Sequence, residues 1–294
     1  MRIFITGASG WIGTAVTAEL LAAGHDVVGL ARSAASADRI TALGGTPWRG
    51  SLEDPESLRA GAAESDGVVH LGYHHDFSQM AEAARLDRAA IETLGDALAG
   101  SGRPLLIASG ALGLADGRPG TETDRPDPAS HPRVANAPAA LDLVERDVRS
   151  VVVRFAPTVH GAGDHGFMAV LSGIARERGV SAYVGDGANR WPAVHRSDAA
   201  DLVRRAVEGA PAGSVLHAIA EEGVRTRDIA QALGESLSLP VAPIAPAEAP
   251  AHFGWMGMFF GADLPTRSDA TRRELGWTPT HPGLLEDILA GYYA

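Results

Sequence analysis

Short apolar runs alternate with longer stretches of helical periodicity through the first half of the chain. The runs fall at Arg2–Thr6, Asp26–Ala31 and residues 67–71, 104–108 and 150–155, each rich in Val, Ile or Leu. Runs that stay apolar at successive positions are what strands buried on both faces require. Between them, residues 11–23 and 77–100 repeat their apolar positions at helical spacing. Strands separated by helices need crossover connections, so the pattern predicts an α/β fold: a doubly wound parallel sheet with helices on both sides. A further strand at residues 214–220 is expected to join the sheet late.

The second half is less regular. Residues 182–191 are rich in turn formers, and residues 239–250 carry prolines at 240, 243, 246 and 250. Such a segment cannot be a regular helix or a central strand and reads as a connector. Trp255, Met256, Gly257, Met258, Phe259 and Phe260 gather aromatic and apolar groups in one place, and short helices are expected at 268–275 and 284–290. The expected organisation is a dinucleotide-binding domain over residues 1–160, rejoined by 194–220. A smaller, mostly C-terminal substrate lobe takes 161–193 and 221–294 and covers the crevice at the carboxyl ends of the strands.

The 294 residues are long enough to bury a substantial core. With no cysteine, disulfides, thiolate catalysis and cysteine-based metal centres are excluded. Twenty-five basic against 36 acidic side chains give a formal net charge of −11, which argues for solubility and against nucleic acid as a partner. The N-terminal stretch lacks the features of a secretion signal, and no apolar window is long enough to span a bilayer. A cytoplasmic protein without a membrane partner is expected.

The first chemical feature is Thr6-Gly7-Ala8-Ser9-Gly10-Trp11-Ile12-Gly13, placed between the first strand and the first helix. In a Gly-x-x-Gly-x-x-Gly loop the first glycine makes the turn, and the second lets backbone approach a pyrophosphate. The third lets the helix pack on the strand, and the phosphate meets the positive end of the helix. This makes the sheet Rossmann-like. It names Gly7, Ser9, Gly10, Trp11, Ile12 and Gly13 as cofactor-binding candidates, against a purely structural glycine turn. The second strand ends in Arg32 and Ser33 rather than in a ribose-binding carboxylate. A guanidinium and a hydroxyl suit a 2′-phosphate, so NADP is expected over NAD.

Further motifs join the loop: Gly50-Ser51-Leu52-Glu53-Asp54, Asp66-Gly67-Val68-Val69-His70-Leu71-Gly72, Ala108-Ser109-Gly110, the stretch from Arg154 through Pro157 and His160 to Gly161, and Val194-His195-Arg196-Ser197-Asp198. Together they resemble the short-chain dehydrogenase/reductase superfamily on its extended or atypical side, related to epimerases and dehydratases. The resemblance covers nearly the whole chain. It implies that Ser51 and Leu52 lie by adenine, that Leu71, Gly72 and Pro157 line the cofactor site, and that Ser109 is the matching serine. It also implies a homodimer, through the helix expected at residues 77–100.

The family's usual Tyr-x-x-x-Lys pair is absent. The only tyrosines are Tyr73, Tyr183, Tyr292 and Tyr293, and all 25 basic residues are arginine. In the corresponding segment, Arg133 or Pro132 falls at the tyrosine and Asn136 or Ala137 at the lysine. The replacement chemistry expected uses Ser109, with Tyr73 or His74 as proton donor and Arg133 orienting the substrate. Tyr73-His74-His75-Asp76 reads equally as a polar loop at a strand end, and its histidines lack a third ligand at metal spacing, so no metal is expected. His160, Asp164 and His165 either shape a pocket or react. Residues 183–187 are either part of a substrate pocket or a tight turn, and Trp255 to Phe260 either a pocket wall or core. The expected activity is hydride transfer between NADPH and a small apolar or aromatic carbonyl or alcohol. The alternatives are an NADP-binding module without turnover and an epimerase or dehydratase that recycles its cofactor.

Overall fold

The computed structural model describes residues 1–74, 79–127 and 132–294. The elements run β1 (Arg2–Thr6), α1 (Trp11–Ala22), β2 (Asp26–Ala31), α2 (Ala34–Ala42), β3 (Thr46–Arg49), α3 (Pro55–Ala63), β4 (Gly67–His70), α4 (Met80–Leu98) and β5 (Pro104–Gly110). They continue with α5 (Asn136–Asp142), β6 (Arg149–Phe155), β7 (Thr158–His160), α6 (Phe167–Arg178), β8 (Ser181–Val184), β9 (Arg190–His195) and α7 (Arg196–Gly209). The last are β10 (Val215–Ala218), β11 (Glu221–Arg225), α8 (Thr226–Leu237), β12 (Val241–Ile244), α9 (Ala249–Phe253), α10 (Met256–Phe260), α11 (Asp269–Leu275) and α12 (Leu284–Leu289). No helix among the described residues is long and apolar enough to cross a membrane.

The expected sheet is present: seven strands in the order β3-β2-β1-β4-β5-β6-β10, every pair parallel. The order reverses between β1 and β4, and the crevice that opens there is where such sheets take their ligands. One face packs Val16, Leu20, Ile40, Leu202 and Trp277 against the sheet. The other packs Leu58, Ile91, Leu94, Leu98 and Leu143. Both layers are closed; Ile91 and Leu94 are essentially inaccessible, and truncating either to alanine costs about 2–5 kcal/mol. A third cluster, with Trp191, Phe253, Met256, Phe260 and Leu284, forms a separate core beside the sheet.

Several short strands escape the apolar pattern, among them β3 and β12. β3 reads Thr-Pro-Trp-Arg and is mostly exposed, because it is the sheet's edge, where a proline and polar groups are tolerated. β12 lies inside the proline-rich connector and pairs parallel with β8, with Pro243 opposite Tyr183. It too is an edge strand, in a sheet of two.

Candidate functional site

The crevice between β1 and β4 opens into a cleft of about 2010 Å³ that reaches both lobes. At its base Gly7 has φ +72°, and a β-carbon there would sit 2.7 Å from the Gly72 nitrogen. A β-carbon on Gly13 would collide with the Gly7 carbonyl oxygen. The turn therefore requires glycine at both positions, and α1 begins without any side-chain cap at Gly10. Its first amide groups and dipole are left for an anion. A pyrophosphate fits this cradle. Ser9, Gly10, Trp11 and Ile12 also line the cleft. Trp11 is held by a 2.7 Å hydrogen bond to the Val159 carbonyl oxygen and by the Arg196 guanidinium, 4.1 Å from its ring centre.

Arg32 lines the cleft and is exposed, but Ser33 is employed otherwise. The Ser33 hydroxyl accepts from the Ser36 backbone nitrogen and caps α2. Ser36, one turn on, lines the cleft in its place. The sequence already held this signal, since a serine just before a helical run is a strong N-cap. Arg39 was not anticipated. Its Nη1 donates to the Ser9 carbonyl oxygen at 3.0 Å, which sets a second guanidinium against the glycine loop. Ser51, Leu52, Leu71, Gly72 and Pro157 all line the cleft.

At the other end of the cleft, Tyr73 and Arg133 come together. The guanidinium carbon lies 3.8 Å from the centre of the Tyr73 ring, and Nη2 donates to the Ala108 carbonyl oxygen at 3.2 Å. Burial pushes the Tyr73 phenol up from its ordinary pKa; the Arg133 charge opposes this and Asp87 adds to it. Ser109, at the end of β5, shares the wall. His74 goes elsewhere: its Nε2 is 2.9 Å from Glu53 Oε1, in the segment after β3. His75 and Asp76 lie outside the described residues.

Beneath Arg133 runs a buried polar chain that sequence reasoning missed. The Gly72 amide donates to Thr6 Oγ1 at 3.0 Å, and Thr6 Oγ1 lies 2.7 Å from His70 Nδ1. His70 Nε2 faces Asp87 Oδ1 at 3.3 Å, off the hydrogen-bond axis, so this contact is electrostatic. Asn136 Nδ2 donates to Asp87 Oδ2 at 2.6 Å and to the Ala84 carbonyl oxygen at 2.9 Å. Arg133 Nε lies 3.9 Å from the same carboxylate. Burial disfavours the ionised Asp87, yet His70, Arg133 and Asn136 together hold its carboxyl below the usual range. The signal was a lone carboxylate in the apolar stripe of α4, at helical spacing from Ala83, Ala84, Ala90, Ile91 and Leu94.

The remaining candidates divide. His160 is fully buried, with Nδ1 2.6 Å from Asp287 Oδ2, and ties β7 to α12. Asp164 accepts from Gly166 N and the Tyr293 hydroxyl, and burial pushes its carboxyl up. Tyr183 and Val184 end β8, and residues 185–189 turn from it to β9, with Gly185 and Gly187 at positive φ and Asp186 accepting from Ala188 N. Trp255, Met258 and Phe259 line the cleft, whereas Met256 and Phe260 turn into the core.

Comparison with known proteins agrees with this architecture. The model of the NAD dependent epimerase/dehydratase family matches residues 3–218, and the chain belongs to that family. It is 45% identical over its full length to an uncharacterized protein of Schizosaccharomyces pombe, all of which is covered. It is 28% identical to the 4-hydroxy-2-methyl-3-oxo-4-farnesyl-3,4-dihydroquinoline-1-oxide ketoreductase of Stigmatella aurantiaca, over 94% of this chain and 92% of that one. In fold it is similar to DesIV, the dTDP-glucose 4,6-dehydratase of Streptomyces venezuelae solved with NAD and TYD, with a TM-score of 0.78 at 20% identity over 99% and 96% of the two chains.

Proposed function

We propose that this chain is an NADP-dependent oxidoreductase with an atypical proton donor, acting on a small apolar or aromatic carbonyl or alcohol. The observation that carries this reading is the placement of Tyr73, Arg133 and Ser109 in the same cleft as the glycine loop. Arg32 and Arg39, with Ser36, are the groups that would hold a 2′-phosphate. When bound, the nicotinamide supplies the hydride of reduction or accepts that of oxidation.

The protein's own task is then the proton. Tyr73, protonated at neutral pH because burial raises its pKa, donates to the substrate oxygen as that oxygen gains charge. Arg133, over the ring, stabilises the phenolate left behind, and solvent reprotonates it. The Ser109 hydroxyl orients the same oxygen. Trp255, Met258 and Phe259 supply apolar surface for the body of the substrate. The ketoreductase of Stigmatella aurantiaca is 28% identical to this chain, which supports net reduction over cofactor recycling.

The test is NADPH oxidation with a panel of aldehydes and ketones, run beside NADH. NADPH is expected to be favoured, and Arg32→Glu to lower that preference by about tenfold or more. Equal use of both nucleotides would overturn the NADP assignment. A second reading, nucleotide binding without turnover, draws on Asn136, which stands near the usual lysine position but is locked to Asp87 and Ala84. Tight NADPH binding with no turnover across the panel would favour it.

A further inference from the structure

Beside Ser109 stands a buried cation that the chemistry above does not use. Arg154 on β6 is the register partner of Ser109 on β5. It is only 5% exposed, yet it lines the cleft. Its side-chain hydrogen bond runs from Nη1 to His217 Nε2, at 3.3 Å. His217 Nδ1 lies 2.7 Å from the Arg267 carbonyl oxygen and so carries the ring proton. Nε2 is therefore an acceptor, and burial pushes this imidazole's pKa down, which keeps it neutral.

With a neutral hydrogen-bond partner, the guanidinium has no direct ion pair among the described residues, although the charges of Asp124 and Glu122 reach it and favour its ionised form. The two carboxylates whose charge reaches Arg154 are committed elsewhere. Glu122 Oε1 accepts from both the nitrogen and the hydroxyl of Thr271, each at 2.8 Å. Asp124 is bridged to Arg118 and accepts from Thr121. Among the described residues, neither forms an ion pair with Arg154. A second guanidinium, Arg125, lines the same cleft, exposed, and adds positive charge. Burying a cation without a carboxylate in contact is costly, and a guanidinium fork matches a carboxylate in shape as well as in charge.

We propose that Arg154, assisted by Arg125, forms an anion subsite that binds a carboxylate on the substrate. The reacting carbonyl is thereby placed at Ser109, and the body of the molecule lies against Trp255 and Phe259. The substrate class is then a carbonyl or alcohol that carries both an apolar or aromatic body and an acid group. This inference rests on reading the cleft as an oxidoreductase site, so its test separates the two.

Matched substrates differing only in charge, 4-formylbenzoate and 4-formylbenzamide, are compared by kcat/KM with NADPH. The wild type is expected to prefer the acid by about 10- to 100-fold, the range of a charge-assisted hydrogen-bonded pair. Arg154→Met is expected to bring the ratio near one, Arg154→Lys to give an intermediate value, and Arg125→Ala to lower it several-fold. A wild-type ratio near one, or an unchanged ratio in Arg154→Met, overturns the subsite. If neither aldehyde is reduced, the oxidoreductase reading fails for this class, and the subsite is judged by binding alone. Benzoate should then raise the melting temperature of the NADPH-loaded wild type more than benzamide does, and Arg154→Met should lose the difference. Equal shifts overturn the proposal. If Arg154→Met does not fold, Arg154→Lys and the exposed Arg125→Ala carry both comparisons.

Discussion

The two ends of the cleft are built on different principles. At the nucleotide end the essential groups are backbone: a turn at Gly7, a bare helix start at Gly10, and a contact at Gly13 that admits no β-carbon. All of it comes from eight consecutive residues. At the proposed reaction end the groups are side chains drawn from β4 and the loop after it, α4, β5, β6 and the turn leading into α5, and they are held by one another. Backbone sites tolerate almost any neighbours, whereas side-chain sites can be rewired. That is how the familiar Tyr–Lys pair can be missing while the phosphate cradle is intact.

The contrast is sharpest in Tyr73→Phe. It should lower kcat by about 100- to 10,000-fold, the range for losing a general acid, while the NADPH dissociation constant measured by fluorescence stays within a few-fold. The pH dependence is a second test. Because the phenol's pKa is raised from 10, reduction should hold through neutral pH and decline only in the alkaline range, whereas alcohol oxidation should rise there. A steep loss of reductive kcat between pH 6 and 8 would remove Tyr73 from the acid's role. Gly13→Ala attacks the other end. Its methyl meets backbone, so the expected cost is about 3 kcal/mol in chemical denaturation, with nucleotide binding lost in parallel. A stable variant that still bound NADPH would break the account of the loop.

Asp87→Asn removes the charge that organises the reaction end. It should destabilise the protein by about 2 kcal/mol at neutral pH, because the charge-assisted bond from Asn136 and the contacts with His70 and Arg133 weaken. The sign follows from the depressed pKa of Asp87. Its contribution is present above the unfolded carboxylate range, and it is lost as pH falls through the lower folded value. The wild type and variant should therefore begin to converge as pH falls below about 4. His74→Ala should do least, changing kcat less than about threefold, because the ring is partly exposed and bound to Glu53. A hundredfold loss would return His74 to the catalytic set.

The same division explains what could be read from the sequence. Periodicity located five sheet strands and the late β10, because buried parallel strands are apolar at every position. It passed over the edge strand β3 and the short strands of the two smaller sheets, β7, β8, β9, β11 and β12, which need not be. The glycine loop was legible because its chemistry is contiguous and its flanking strand and helix confirm its setting. Ser33 was assigned to the phosphate, although its capping role followed from its place just before α2. Tyr73 and Arg133 were each visible as candidates, but 60 positions separate them, and only the fold shows that they stack. Asp87 left a trace as a carboxylate in an apolar helical stripe, but its partners, the Arg39 contact and the setting of Arg154 depend on what surrounds each side chain, and no local pattern encodes that.

The chain from Gly72 through Thr6 to His70 has a spectroscopic consequence. With Thr6 against Nδ1 and the Asp87 carboxylate facing Nε2, the ring proton of His70 belongs on Nε2, shut away from water. Such a proton exchanges slowly, which sets it apart from those of exposed histidines. It reports from directly below Arg133 and one strand from the glycine loop. A single resonance would register the filling of either end of the cleft, without a label in the cleft itself.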